Sequence, residues 1–177
     1  MEVFLLRHGI AEERRPGRAD AKRALTEKGR ERLGLVLELA RAAGVSPSLI
    51  LTSPYVRAVQ TAEMAAQVLG CKRAIVHTDA LLPGSSPEKV WEEIRSRREE
   101  AAVLLAGHEP LLGQAASFLL GASWGLVEMK KGALVSIGIE RFDARPRGVL
   151  RWLLPPRLAA AAIEERKDWR KRPESHK

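Results

Sequence analysis

The sequence predicts a three-layer α/β/α fold, a mostly parallel sheet flanked by helices. Three observations predict it: short apolar runs alternate with longer helical patterns, capping residues separate them, and 177 residues leave room for one core. The first run, "EVFLL" at 2–6, reads as a buried strand. After a basic loop, "LTEKGRERLGLVLELARAAG" at 25–44 reads as a helix that Thr26 caps and Gly44 ends, with Leu33, Val36, Leu37 and Ala40 along one face. "SLILTS" at 48–53 is the next strand, "YVRAVQTAEMAAQVLG" at 55–70 the next helix, and "RAIVHT" at 73–78 a third strand. A helix over 86–99 starts at a capping Ser86 with Pro87 in its first position, and leads into the apolar strand "AAVLLAG" at 101–107. A helix over 110–121 follows, then strands at 133–140 and 148–154 that can form a hairpin around "FDARPRG", and a last helix from Pro155 and Pro156. No internal repeat interrupts this order, so the reading is one domain over residues 1–165 with a basic C-terminal tail at 166–177.

Composition narrows the functional classes. The longest apolar runs fall short of the ~20 residues of a membrane helix. The N-terminus reaches Arg7 without the apolar stretch of a secretory signal, so a cytoplasmic protein with no membrane partner is expected. Cys71 is the single cysteine, which excludes an internal disulfide framework and a cysteine-rich zinc site, and it reads as a small packed residue. The net charge of +8 favours anionic partners. Between Arg7 and Arg32 nine basic residues face five acidic ones, so half of the excess follows directly on the first strand. The terminal "EERKDWRKRPESHK" has six basic and four acidic residues and reads as a solvated helix end rather than a nucleic-acid arm. The tryptophans at 91, 124, 152 and 169 read as packing residues, and His77 and His176 as surface residues.

In open α/β sheets ligands bind beyond the carboxyl ends of the strands. Arg7 and His8 end the first strand, Arg57 follows the second in the first helical turn, and His108 ends the strand of "VLLAGHEP". Each alone is ordinary; together they put two of the chain's four histidines on one rim beside two arginines. Guanidinium forks match phosphoryl oxygens in pairs. Two of them beside His8 should lower its pKa and keep the imidazole a free base that can attack phosphorus. Arg7, Arg57 and His108 would neutralise charge on the equatorial oxygens. Gly9 lets the backbone approach where a side chain would clash.

"LLRHG", "TSPYVRAVQTAE" and "LAGHEP" together resemble the histidine phosphatase superfamily, also called phosphoglycerate mutase-like, over the chain to about residue 154. The resemblance implies His8 as the phosphorylated nucleophile, Arg7, Arg57 and His108 as the phosphate pocket, and no metal or other cofactor. "RALTEKG", "LLPGSSPE" and the short chain are most similar to the SixA-type phosphohistidine phosphatases, in which a further arginine precedes the "LT..G" helix; Arg23 matches it. The expected substrate is then a phosphorylated protein, a histidine-containing phosphotransfer domain, or alternatively a small phosphoester.

One departure concerns the proton donor. The wider family commonly supplies a glutamate after the third strand, where this chain has Asp79 followed by Ala80. Asp79 is the candidate acid, with Glu12 or Glu13 from the basic loop as others. A missing acid favours phosphohistidine, because an imidazole nitrogen protonates near ~6.5 while an alcohol resembles water at ~15.7. Two other readings are a noncatalytic phosphoprotein-binding module and a metal-dependent hydrolase on His8, His108 and Glu109. The latter lacks a familiar ligand spacing, and Arg7 and Arg57 would repel a cation.

Overall fold

A computed structural model describes the backbone of residues 1–122 and 125–171 and the side chains of these as far as residue 165. Trp124, Trp169, His176 and the expected basic stretch at 166–177 lie outside those described side chains. The elements run β1 (Glu2–Arg7), α1 (Glu27–Ala42), β2 (Leu49–Thr52), α2 (Val56–Leu69), β3 (Val76–His77), α3 (Pro87–Arg95), β4 (Ala102–Gly107), α4 (Leu111–Leu119), β5 (Leu134–Gly138), β6 (Val149–Leu154) and α5 (Pro156–Lys171). Short 3₁₀ turns at Asp20–Lys22 and Asp79–Leu81 complete them.

The strands form one six-stranded sheet in the order β3-β2-β4-β1-β5-β6. β3, β2, β4 and β1 are mutually parallel, whereas β5 and β6 add as the expected antiparallel hairpin. Alternation along the central strands separates two cores. Val3, Leu5, Leu49, Leu51, Val103 and Leu105 face α3 and α4. Phe4, Leu6, Ile50, Leu104 and Ala106 face α1, α2 and α5. Both faces of the parallel strands are therefore covered, which is why they read as unbroken apolar runs.

Two elements are shorter than the sequence predicts. β3 pairs only at Val76 and His77, because it lies at the sheet edge with one neighbour. α3 stops at Arg95 rather than 99: Ile94 is its last buried residue, and the "SRRE" that follows offers no apolar side chain to hold a further turn. The caps hold: the Thr26 hydroxyl accepts from Gly29 N at 3.0 Å, and Ser86 accepts from Lys89 N at 3.4 Å. Trp91 is buried and stacks on Phe142, and Trp152 packs on Phe4, so these two tryptophans are packing residues. His77 is exposed.

The loop after β1 is locked to α1. The Ile10 carbonyl accepts from Thr26 N at 2.9 Å and from the Thr26 hydroxyl at 3.2 Å. A Cβ on Gly29 would stand 2.1 Å from that same oxygen. Gly29→Ala should therefore cost about 1–3 kcal/mol of stability by forcing loop and helix apart. Urea denaturation measures it, and an unchanged midpoint would show that the loop yields freely.

Candidate active site

The sheet register assembles the site. Arg7 pairs with Gly107 and Thr52 with Ala106, so the chain leaves β1, β2 and β4 at one level. His8 N then donates to the Gly107 carbonyl and Ser53 N to that of Ala106, each at 3.0 Å. His8, Ser53 and His108 are thus neighbours although 45 and 55 residues separate them in turn. α2 begins at Val56, which sets Arg57 in its first turn over the same edge.

His8, Arg57 and His108 are 6%, 5% and 2% exposed. His8 Nδ1 lies 2.7 Å from the Gly9 carbonyl, an acceptor only, so Nδ1 carries the proton. Nε2 therefore holds the lone pair, and Arg57 Nε donates to it at 3.3 Å. The His108 ring stands 5.1 Å from the His8 ring. Its Nε2 is 2.9 Å from Ser53 Oγ, which also accepts from Tyr55 N at 3.4 Å. His108 Nδ1 is buried without a partner among the described residues.

The arginines divide into two groups. Arg7 Nη1 donates to the Met129 carbonyl at 2.5 Å, and its Nε has no described partner. Arg57 and Arg23 converge on Asp20, a residue the sequence reading did not single out. Arg57 Nη2 donates to Asp20 Oδ2 at 2.9 Å and Arg57 Nη1 to the Asp20 carbonyl at 2.8 Å. Arg23 Nη1 meets Oδ1 at 2.8 Å, and exposed Arg14 adds a third ion pair at 3.1 Å. Burial raises the Asp20 pKa, but the hydrogen bonds from Arg57 and Arg23 outweigh it and hold the carboxyl at about 2. Its signal was the three-residue spacing to Arg23 across the turn at 20–22.

The other carboxylates are engaged or remote. Glu12 accepts from Ala24 N at 3.0 Å and pairs with Arg18, and Glu13 is exposed. Asp79 lies exposed beyond β3 on the same sheet edge, with no hydrogen bond or ion pair to His8, His108 or the arginines among the described residues. Glu109 was considered above only as a metal ligand. Its oxygens accept instead from Met129 N at 2.8 Å and Gly113 N at 3.3 Å, which fixes the segment whose carbonyl holds Arg7. A Cβ on Gly113 would lie 2.4 Å from the Val127 carbonyl, so glycine there admits the arrangement. Gly9 N donates to Thr61 Oγ1 at 3.3 Å, and a Cβ on Gly9 would meet the Gly29 carbonyl at 3.1 Å; its smallness serves packing on α1. No three His, Cys, Asp or Glu side chains among the described residues cluster as a metal site.

Burial is the largest cause that lowers the His8 pKa to about 4, opposed by the bond to Gly9 and assisted by Arg57, Arg7 and Lys131. The guanidinium effect expected from sequence is present but secondary. His108 is lowered to about 3, by burial first and then by His8 and Arg57. Both rings are neutral at pH 7, whereas an unfolded imidazole titrates near ~6.5. The unfolded chain therefore binds more protons below that pH. Stability present above pH ~6.5 should fall towards pH ~4, by about 1.4 kcal/mol per pH unit per histidine. Urea midpoints from pH 7.5 to 4.5 test this, and His108→Gln should shrink the slope; a flat midpoint would contradict neutral buried rings.

The comparisons with known proteins agree with the fold. Residues 3–82 match the histidine phosphatase superfamily (branch 1). An uncharacterized protein of Picosynechococcus sp. is 33% identical over 165 residues, covering 88% of this chain and 100% of its own. The structure of the protein histidine phosphatase SixA complexed with tungstate superposes with a TM-score of 0.79 at 25% identity, over 89% of this chain and 99% of that one. A mycobacterial glucosyl-3-phosphoglycerate phosphatase shares the fold at a TM-score of 0.64 and 18% identity, over 84% of this chain and 96% of its own.

Proposed function

This chain belongs to the histidine phosphatase superfamily, and from that premise we propose that His8 is the nucleophile of a phosphatase acting on phosphohistidine in a signalling or phosphotransfer protein. The lone pair on His8 Nε2 attacks phosphorus, and the P–N bond to the substrate imidazole breaks as the new one forms. With the distal nitrogen of the substrate ring protonated, the departing nitrogen keeps the electron pair of the broken bond and the ring leaves as neutral imidazole. A water molecule then attacks the phosphoryl group on His8, releasing orthophosphate and returning the imidazole with Nδ1 protonated. Arg7 and Arg57 face the negative oxygens, with Arg23 behind them across Asp20 and His108 as a further donor. Asp20 shares Arg57 and Arg23 with the incoming anion, so binding substrate exchanges one anionic partner for another. These groups supply the charge neutralisation that a metal ion would otherwise provide. The same reading places the enzyme in the cytoplasm.

The observation that carries the choice of substrate is the state of the carboxylates. Asp20 is held ionised by its arginines, Glu12 and Glu109 are bound to backbone N–H groups, and Asp79 stands exposed and apart. An alcohol would leave unaided against a pKa near ~15.7, an imidazole against only ~6.5. The test compares phosphate release, without added metal, from a histidine-phosphorylated carrier protein and from p-nitrophenyl phosphate. Faster kcat/KM on the phosphoprotein is expected. Preference for the ester would move the assignment to a small-molecule phosphatase, and Asp79→Asn would then be the variant to examine for a lost proton donor.

A further inference from the structure

Beside Arg7 the surface opens into a cavity of about 480 Å³ that receives Arg32 from α1, Lys130 and Lys131 from the segment before β5, and Arg157 from the first turn of α5. Five cations on four pieces of chain line it with no acidic side chain among them. Lys130 pairs with Glu128; Arg32, Lys131 and Arg157 make no ion pair with another described side chain. The ammonium of Lys131 is near enough to bear on the His8 imidazole, so the cavity and the nucleophile share one field. A second cavity of about 460 Å³ continues from it, sharing Arg32, Pro156 and Arg157 and reaching Ala160, Ala161 and Glu164.

Dimensions select the occupant. From Pro156 to Glu164 the axis of α5 rises about 12 Å at 1.5 Å per residue. A phosphoryl group on a small alcohol fills a fraction of that length. An extended polypeptide covers it with about four residues at ~3.3 Å each. Charge also changes along the groove: the end next to Arg7 is cationic, while the far end has small apolar side chains and an acid.

We propose that this groove holds an acidic stretch of the substrate protein, so that the phosphohistidine removed at His8 lies within about four residues of aspartate or glutamate side chains. The proposal rests on the phosphohistidine reading above and names the surface that selects the partner. Recognition by Arg32, Lys130, Lys131 and Arg157 is electrostatic and lies beside the phosphoryl pocket, with which the groove shares only Arg7, so it acts on kcat/KM for extended substrates and not on chemistry at phosphorus.

The test uses phosphohistidine peptides of equal length whose flanking positions, on either side, are Glu, Ser or Lys, with p-nitrophenyl phosphate as reference. Wild type should show kcat/KM about tenfold higher for the Glu-flanked peptide than for the Ser-flanked one at low salt, declining as salt is raised. Arg32→Glu/Arg157→Glu, two exposed positions away from the phosphoryl donors, should abolish that preference and leave p-nitrophenyl phosphate turnover unchanged. Equal turnover of all three peptides by wild type would overturn the groove's role and keep the phosphohistidine reading. Turnover of the ester with none of the peptides would overturn both. An acidic preference that survives the double substitution would overturn the assignment to this groove.

Discussion

His8→Ala should abolish phosphate release from every substrate, by on the order of 10⁴-fold or more, because no other group in the site offers a lone pair to phosphorus. Among the described residues His108 is the one other buried imidazole beside His8, and its Nε2 lies 2.9 Å from Ser53 Oγ. Loss of fold is a poor alternative explanation, since His8 makes its two side-chain hydrogen bonds to Gly9 and Arg57 and neither closes an element. Circular dichroism checks that directly. Trapping gives the second readout: wild type quenched in alkali during turnover of a ³²P-labelled substrate should carry label on the protein, and the variant none. A variant within tenfold of wild type, or label at another residue, would remove His8 as nucleophile.

Arg57→Ala is expected to have the next largest effect, about 10²–10³-fold in kcat/KM. The loss has two physical parts. Arg57 Nε donates to His8 Nε2 and so steers the attacking lone pair, while Nη2 donates to an anion, the Asp20 carboxylate, and Nη1 to the Asp20 carbonyl. A lysine cannot do both, because its ammonium is a point charge without the guanidinium fork, so Arg57→Lys should recover little. Arg14→Ala is the contrast: that side chain is 82% exposed and also binds Asp20, and its removal should leave activity within about twofold. Equal effects at the two positions would mean that net charge around Asp20, rather than the geometry of Arg57, governs activity.

What could be read in advance follows from where each residue sits. The strand ends were legible because parallel strands buried on both faces are unbroken apolar runs, and the polar residues where those runs end, Arg7, His8 and His108, mark the rim. The caps Thr26 and Ser86 were legible from local chemistry alone. Asp20 was not, because an acid in a loop crowded with arginine looks like any solvated charge; its meaning comes from Arg57, 37 residues away. Glu109 was hidden for the same reason: its partner Met129 lies 20 residues on and is bound through backbone N–H, which leaves no mark in side-chain patterns. The ordering of causes at His8 was also beyond sequence, since burial depends on all the layers packed around it.

The position of Arg7 at the end of β1 and of His8 directly after it, on a strand clamped between β4 and β5, has a consequence for how such a protein diversifies. The groups read here as chemical project from the least deformable part of the molecule, whereas Arg32, Lys130, Lys131 and Arg157 hang on a helix flank, a connecting segment and a helix end. Substitutions at those outlying positions can retarget the protein without disturbing the nucleophile's alignment. The fold thus separates what is fixed from what is adjustable, and an engineer seeking new partners would randomise Arg32, Lys130, Lys131 and Arg157 before touching the sheet.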